Sequence, residues 1–177
     1  MVTKWFKNII NALTFGGFLA GGGSSGYAYN KVIKDRTNTS FYPSHGLSFS
    51  TGYVANTNNG VAFGTGNTPA TDEDIDLESQ ITSGLSVATP IITKDMDGTK
   101  CSVTLRYVVS NTTSADIIIK EVGMRCTVAA GTSAGQTTSL GNKYILVDRT
   151  VLATPLTVPA SSNAVLEYTL ESDWDLT

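Results

Sequence analysis

Cys101-Ser102-Val103-Thr104-Leu105-Arg106-Tyr107-Val108-Val109 is the stretch from which the fold is read. Successive side chains of an extended chain point to opposite faces, so Cys101, Val103, Leu105, Tyr107 and Val109 share one side, and Ser102, Thr104 and Arg106 the other. One face on a core and one in water is the mark of an antiparallel sheet. Before it, Asp95-Met96-Asp97-Gly98 reads as a turn and Leu85 to Thr93 as a strand in which Pro90 marks an edge or bulge. After it, Asn111 to Asp116 turns the chain into a second long strand, Ile117 to Cys126, expected to pair antiparallel with the first. That hairpin brings Cys101 near Cys126, but register is open by a residue or more and a disulfide needs specific Cβ geometry.

Working outward, Leu47 to Val54 forms a strand with Leu47 and Phe49 on one face, broken at Gly52. Asn56-Thr57-Asn58-Asn59-Gly60 is a hairpin-type turn, because Asn and Gly tolerate positive φ, and it leads into the short strand Val61 to Gly64. On the other side a Gly/Thr/Ser loop spans Ala129 to Gly141. Tyr144 to Arg149, Val151-Leu152, Leu156 to Val158 and Ala164 to Leu170 supply further strands. Gly64 and Gly66 read as turn residues, Gly123 as a bend in a long strand, and Pro159 with Ser161-Ser162-Asn163 as the start of the last hairpin. About eight short strands without βαβ alternation predict an all-β fold: a two-sheet antiparallel sandwich, jelly-roll or immunoglobulin-like, with a short N-terminal amphipathic helix.

The composition agrees. Of 177 residues only 15% are charged, against a norm of about 25%, and Thr, Ser, Asn and Gly fill the gap with residues that suit strands and tight turns. The length fits one domain and an appendage: an arm and Gly/Ser linker over 1–26, a connecting segment over 27–45, and the sandwich over 46–177. A net charge of -3 gives no basic footprint for nucleic acid.

In the arm, Trp5, Phe6, Ile9, Ile10 and Leu13 recur at helical spacing with Lys4, Lys7, Asn8 and Asn11 opposite, and Phe15 and Phe18 extend the apolar set. Thr3 is a candidate N-cap, Gly16-Gly17 stop the helix, and Gly21 to Gly26 form a flexible linker. The apolar run is interrupted too often to span a bilayer and makes a poor export signal, and an exported surface filament protein, with the arm as leader or assembly helix, stands as an alternative. Helix-in-groove docking on a protein partner through Trp5, Phe6, Ile9, Ile10, Leu13, Phe15 and Phe18 is the expected role; packing on its own domain is the simpler alternative.

No catalytic equipment is evident. The single histidine, His45, is expected in a turn before the first strand, and no GxSxG elbow accompanies it. Asp74, Asp76 and Glu78 alternate with Ile75 and Leu77 but lack the central glycine of a calcium loop, so they read as a solvated face beside a packed Leu77. Gly64-Thr65-Gly66 lacks the lysine of a phosphate loop. Cys101 and Cys126 read as buried thiols with no zinc-site spacing, and no metal or cofactor is expected. Tyr27, Tyr29, Tyr42 and Trp174 are available to stack on sugars, which makes a host-surface glycan the alternative ligand.

Three segments, read together, carry a family resemblance. They are Phe63-Gly64-Thr65-Gly66-Asn67-Thr68-Pro69-Ala70-Thr71-Asp72 followed by Leu77-Glu78-Ser79-Gln80-Ile81; then Ile119-Lys120-Glu121-Val122-Gly123-Met124; and Leu146-Val147-Asp148-Arg149-Thr150-Val151 with Val158-Pro159-Ala160 and Leu166 to Leu170. This layout resembles that of small virion proteins of tailed bacteriophages, of the tail-fibre, head-fibre and decoration kind. The resemblance implies a non-enzymatic structural component, placed in the virion after assembly in the bacterial cytoplasm. Its partners would be neighbouring virion proteins and copies of itself, with the arm as attachment element.

Overall fold

A computed structural model describes residues 33–49, 60–97, 100–131 and 139–173. They form nine strands in two antiparallel sheets, with no helix among the described residues. In the larger sheet β7 (Ile117–Gly131) is the spine, with β8 (Ser139–Val158) along one side. Along the other side β2 (Ser40–Phe49) and β3 (Gly60–Gly64) lie end to end, Phe49 opposite Cys126 and Gly60 opposite Arg125, with β1 (Ile33–Lys34) outside β2. The smaller sheet repeats this plan. β6 (Lys100–Asn111) is its spine, β9 (Asn163–Asp173) lies on one side, and β4 (Leu85–Val87) and β5 (Ile91–Asp97) lie end to end on the other. Between β4 and β5 stands buried Pro90, which has no N–H to give a ladder.

Both sheets contribute to one core. Val122, Met124, Cys126 and Val128 of β7 and Ile145, Val147 and Val158 of β8 join Val61 and Phe63 of β3, facing Leu105, Tyr107 and Val109 of β6 and Leu166 and Tyr168 of β9. Phe63 meets Tyr107 edge to face across the layer, centroids 6.1 Å apart at 85°, a geometry worth about 0.5–1.5 kcal/mol beyond area burial. The Tyr168 hydroxyl donates to Asp148 at 2.6 Å, a polar tie between sheets. Asn111 closes the β6–β7 turn, donating to the carbonyls of Ala115 and Val158 and accepting from Thr113.

Two irregularities of β8 set which side chains face out. Val147 is an extra residue between Leu146, opposite Arg125, and Asp148, opposite Met124. This bulge turns Asp148 toward Tyr168 and leaves Arg149 on the outer face beside Glu121. Farther on, Leu152 to Pro155 lie between Val151, opposite Glu121, and Leu156, opposite Ile119, without partners on β7.

Several expectations are corrected. The two long strands do not pair: β6 and β7 are the spines of different sheets, because the turn closed by Asn111 crosses from one layer to the other. Cys101 stands opposite Met96 and Ser172 in the smaller sheet, while Cys126 is a buried free thiol in the larger. β2 and β3 both pair with β7 and share its flank, while residues 50–59, on which most of the expected hairpin-type turn falls, lie outside the described residues. Among the described residues the first strand is Ile33–Lys34, inside the segment read as a connector, and His45 lies within β2 opposite Ala129, at a register shift. The single strand expected from Leu85 to Thr93 is divided at Ala88 to Pro90, and the pieces expected from Tyr144 to Val158 are one β8. Pro159 to Ser162 carries the chain from one sheet to the other, with Ser161 at φ 53°. The arm and linker, 1–26, with Trp5, Phe6, Ile9, Ile10, Leu13, Phe15 and Phe18, lie outside the described residues.

Candidate functional site

The outer face of the larger sheet carries the densest group of charges in the described residues. Alternation along β7 sends Val122, Met124 and Cys126 inward, so Glu121, Gly123 and Arg125 point out. Glu121 and Arg125 are nonetheless fully buried, because the loop between β3 and β4 folds back over them. Leu77 plugs this loop onto the sheet, 8% exposed, and a Cβ added at Gly123 would lie 2.8 Å from its Cδ2. The packed Leu77 is thus found where alternation placed it, and Gly123 supplies space for it instead of a bend.

Glu121 fastens the loop at several points. Its Oε1 accepts from the backbone N–H of Gly66 at 3.0 Å and of Ser79 at 2.8 Å; its Oε2 accepts from the N–H of Glu78 at 3.1 Å and from Arg149 Nε at 2.7 Å. Arg149, 3% exposed, spreads its remaining donors over the Asp74 carboxylate at 2.9 Å, the Thr68 carbonyl at 3.1 Å and Glu78 at 3.3 Å. One arginine therefore ties both ends of the loop to one buried carboxylate. The same approach explains Gly64 and Gly66: a Cβ on either would fall within 2.3–2.7 Å of Glu121 and of Ser79 or Glu78.

A second ion group flanks the first. Arg125 donates through Nη2 to Asp76 and, at 2.8 Å, to Gln80, while Arg36 in the β1–β2 turn donates to Asp76 at 3.0 Å. Nε and Nη1 of Arg125 are buried without a hydrogen-bond partner, and burial holds this guanidinium below the ordinary arginine pKa against the pull of Asp76. The β1–β2 turn is itself built on Asp35, which accepts from Thr37 and Thr39 and pairs with Lys143 at 3.2 Å. Alternation in the acidic run was read as a solvated face. The structure corrects this: Asp74, Asp76 and Glu78 turn toward arginines that β7, β8 and the β1–β2 turn present.

These groups are poorly suited to proton transfer. Burial pushes the Asp74 carboxyl up, but Arg149 and Thr71 outweigh it and leave it below the usual carboxylate range. Hydrogen bonds from Thr68 hold Glu78 below that range as well. Burial drives Arg149 down, and Asp74 and Glu121 more than restore it. A carboxylate filled with donors and held ionised is a weak base. What the arrangement does is mechanical: it presses a loop onto a sheet.

The cluster also unites the motif segments. Gly64-Thr65-Gly66, Leu77-Glu78-Ser79, Lys120-Glu121-Val122-Gly123 and Asp148-Arg149 are far apart in sequence and meet at Glu121. The arginine partners leave no trace in the sequence, since nothing local links Arg149 to residue 74 or to Glu121.

Elsewhere, an open cavity of about 420 Å³ lies between Asn67, Pro69 and Ala70 of the loop and Thr150 to Ala153 of β8. Among the described residues no group of three or more His, Cys, Asp or Glu side chains is arranged to hold a metal. Of the aromatics suited to stacking on a sugar, Tyr27, Tyr29 and Trp174 lie outside the described residues, and Tyr42 stands opposite Gly131 in β2. No family model, curated protein or solved structure matches this chain.

Proposed function

We propose that this chain is a non-enzymatic structural component of a bacteriophage virion, a capsid decoration, collar or tail/fibre subunit that assembles with neighbouring virion proteins. The observation that supports the reading is the convergence just described. The segments that resemble the phage layout are the parts of one device, in which a buried glutamate and an arginine hold a loop against a sheet. Their spacing is therefore a property of a fold, and a shared layout reflects a shared architecture. Residues in that device are spent on loop rigidity, which suits a subunit that presents a fixed surface many times over. Within the sandwich class, the exchange of strands between layers fits a jelly-roll or immunoglobulin-like arrangement, and residues 1–26 serve as the attachment element.

Mass spectrometry of purified particles from cells carrying the gene tests the proposal. The chain is expected at a fixed ratio to the major coat or tail protein. Its absence from particles that assemble normally would overturn the reading, and particles that lack the chain once residues 1–26 are deleted would assign attachment to the arm.

A further inference from the structure

The smaller sheet has an outer face of unusual composition for a solvent-facing surface. Register across β5, β6 and β9 places Ile91, Arg106 and Glu167 in one row and Val108 and Val165 in the next. Ile91 is 62% exposed, Val165 46% and Val108 37%. Two rows toward the other end, Asp95, Ser102 and Glu171 align, with Thr93, Thr104 and Thr169 between. Acids thus outnumber bases around an apolar patch: Asp95, Glu167 and Glu171 against Arg106, which pairs with Glu167 at 3.3 Å.

A β-branched patch with an acidic border calls for an apolar surface with a basic border. The chain contains one. Residues 3–15 carry Trp5, Phe6, Ile9, Ile10 and Leu13 on one side of their helical pattern, and Lys4 and Lys7 off it. From Phe15 to Ile33 the chain has reach to spare: a segment of this length extends at most about 60 Å and, Gly-rich as it is, averages roughly 20–25 Å end to end. Passing from β1, at the edge of the larger sheet, around a layer spacing of about 10 Å lies within that range. Tethering also raises the arm's effective concentration at its own domain to the order of millimolar, which a separate molecule rarely matches. From this complementarity and reach we infer that the outer face of the smaller sheet, centred on Ile91, Val108 and Val165, is the docking site of the chain's own arm, residues 3–15, in the free subunit. Attachment to a partner then begins with release of the arm from this face.

The test uses the full chain with Trp174→Phe, which leaves Trp5 as the sole tryptophan. Trp5 is expected to emit at shorter wavelength than in a synthetic peptide of residues 1–20, and to be several-fold less quenched by iodide. V165K, and independently I91K, are expected to return quenching to the peptide's value; I118K, at a residue 43% exposed on the other sheet, leaves it protected. Near-ultraviolet circular dichroism confirms that each variant is folded, and either Lys variant suffices. Trp5 as accessible as in the peptide would overturn the inference, as would protection that survives V165K and I91K. Protection lost on dilution would assign the face to a second copy's arm and also overturn it. None of these outcomes bears on whether the chain is found in particles.

Discussion

Replacing Glu121 by glutamine is the sharpest perturbation of the loop clamp, because it keeps shape and removes an acceptor. The carboxylate meets four donors, the N–H groups of Gly66 and Ser79 at Oε1, and that of Glu78 with Arg149 Nε at Oε2. A carboxamide has one oxygen, so in either orientation its NH2 faces two of these donors. Each buried donor left unsatisfied costs about 1–3 kcal/mol, giving roughly 2–6 kcal/mol, and loss of one partner of a buried ion pair independently suggests about 3–5 kcal/mol. At about 2–4 °C per kcal/mol for a chain of this size, a fall in Tm of about 10–15 °C is expected. If the loop detaches locally, the core escapes part of that cost, and the loss appears instead in hydrogen exchange of the Gly66, Glu78 and Ser79 amides. Thermal denaturation and amide exchange are therefore measured on the same variant. A Tm within about 2 °C of the parent, together with unchanged protection of those three amides, would refute the clamp. Leu77→Ala supplies the comparison: it removes the plug and keeps the hydrogen bonds.

Gly123→Ala is expected to lower stability by about 1–3 kcal/mol, since its Cβ would meet Leu77 Cδ2 at 2.8 Å and Leu146 Cδ1 at 3.1 Å; chemical denaturation showing no loss would sink that account of the glycine. Asp35 and Asp74 have folded pKa values below the ordinary 3.8, and Glu78 below 4.5. Such groups contribute stability that is present above the unfolded values and lost as pH falls through the folded ones. Stability should therefore be flat just above pH 5 and decline below about pH 4, and a Tm that does not change across that interval would count against it. Burial pushes the Cys126 thiol up to about 12, so it should resist a disulfide reagent at neutral pH until the protein unfolds; rapid native-state labelling at residue 126 would contradict its place in the core.

Strand content and facing were legible from alternation. Leu105, Tyr107 and Val109 are buried and Arg106 is exposed, as their period of two requires. Partner choice was not legible. β6 and β7 each satisfy the pattern of a hairpin strand, and what sends them to different sheets is the turn around Asn111, whose side chain bonds to Val158, 47 residues away in sequence. Pro90 announced a break that the sequence left as edge or bulge, and the structure makes it a gap between two strands. At the site, Glu121 and Arg149 fall within segments read as strands, with no role of their own assigned to either charge. They are buried because a loop from elsewhere covers them, and coverage by a distant segment leaves no periodic trace. The alternating acids read as a solvated face because their cations lie far off in sequence: Arg36 and Arg125 meet at Asp76, and Arg149 serves both Asp74 and Glu78.

The end-to-end placement of β2 and β3 on β7 has a consequence for synthesis. Phe49 finds its place opposite Cys126 and Gly64 opposite Glu121, so both strands leave the ribosome well before the strand they join. At about 5–20 residues per second the wait is roughly 3–15 s, during which Val61, Ala62 and Phe63, all fully buried in the finished fold, have no sheet to enter. β7 and β8, joined through a single connection, can pair as soon as both exist. The larger sheet thus cannot begin to form until its spine β7 has been made, and β8 is the last of its strands to be synthesised.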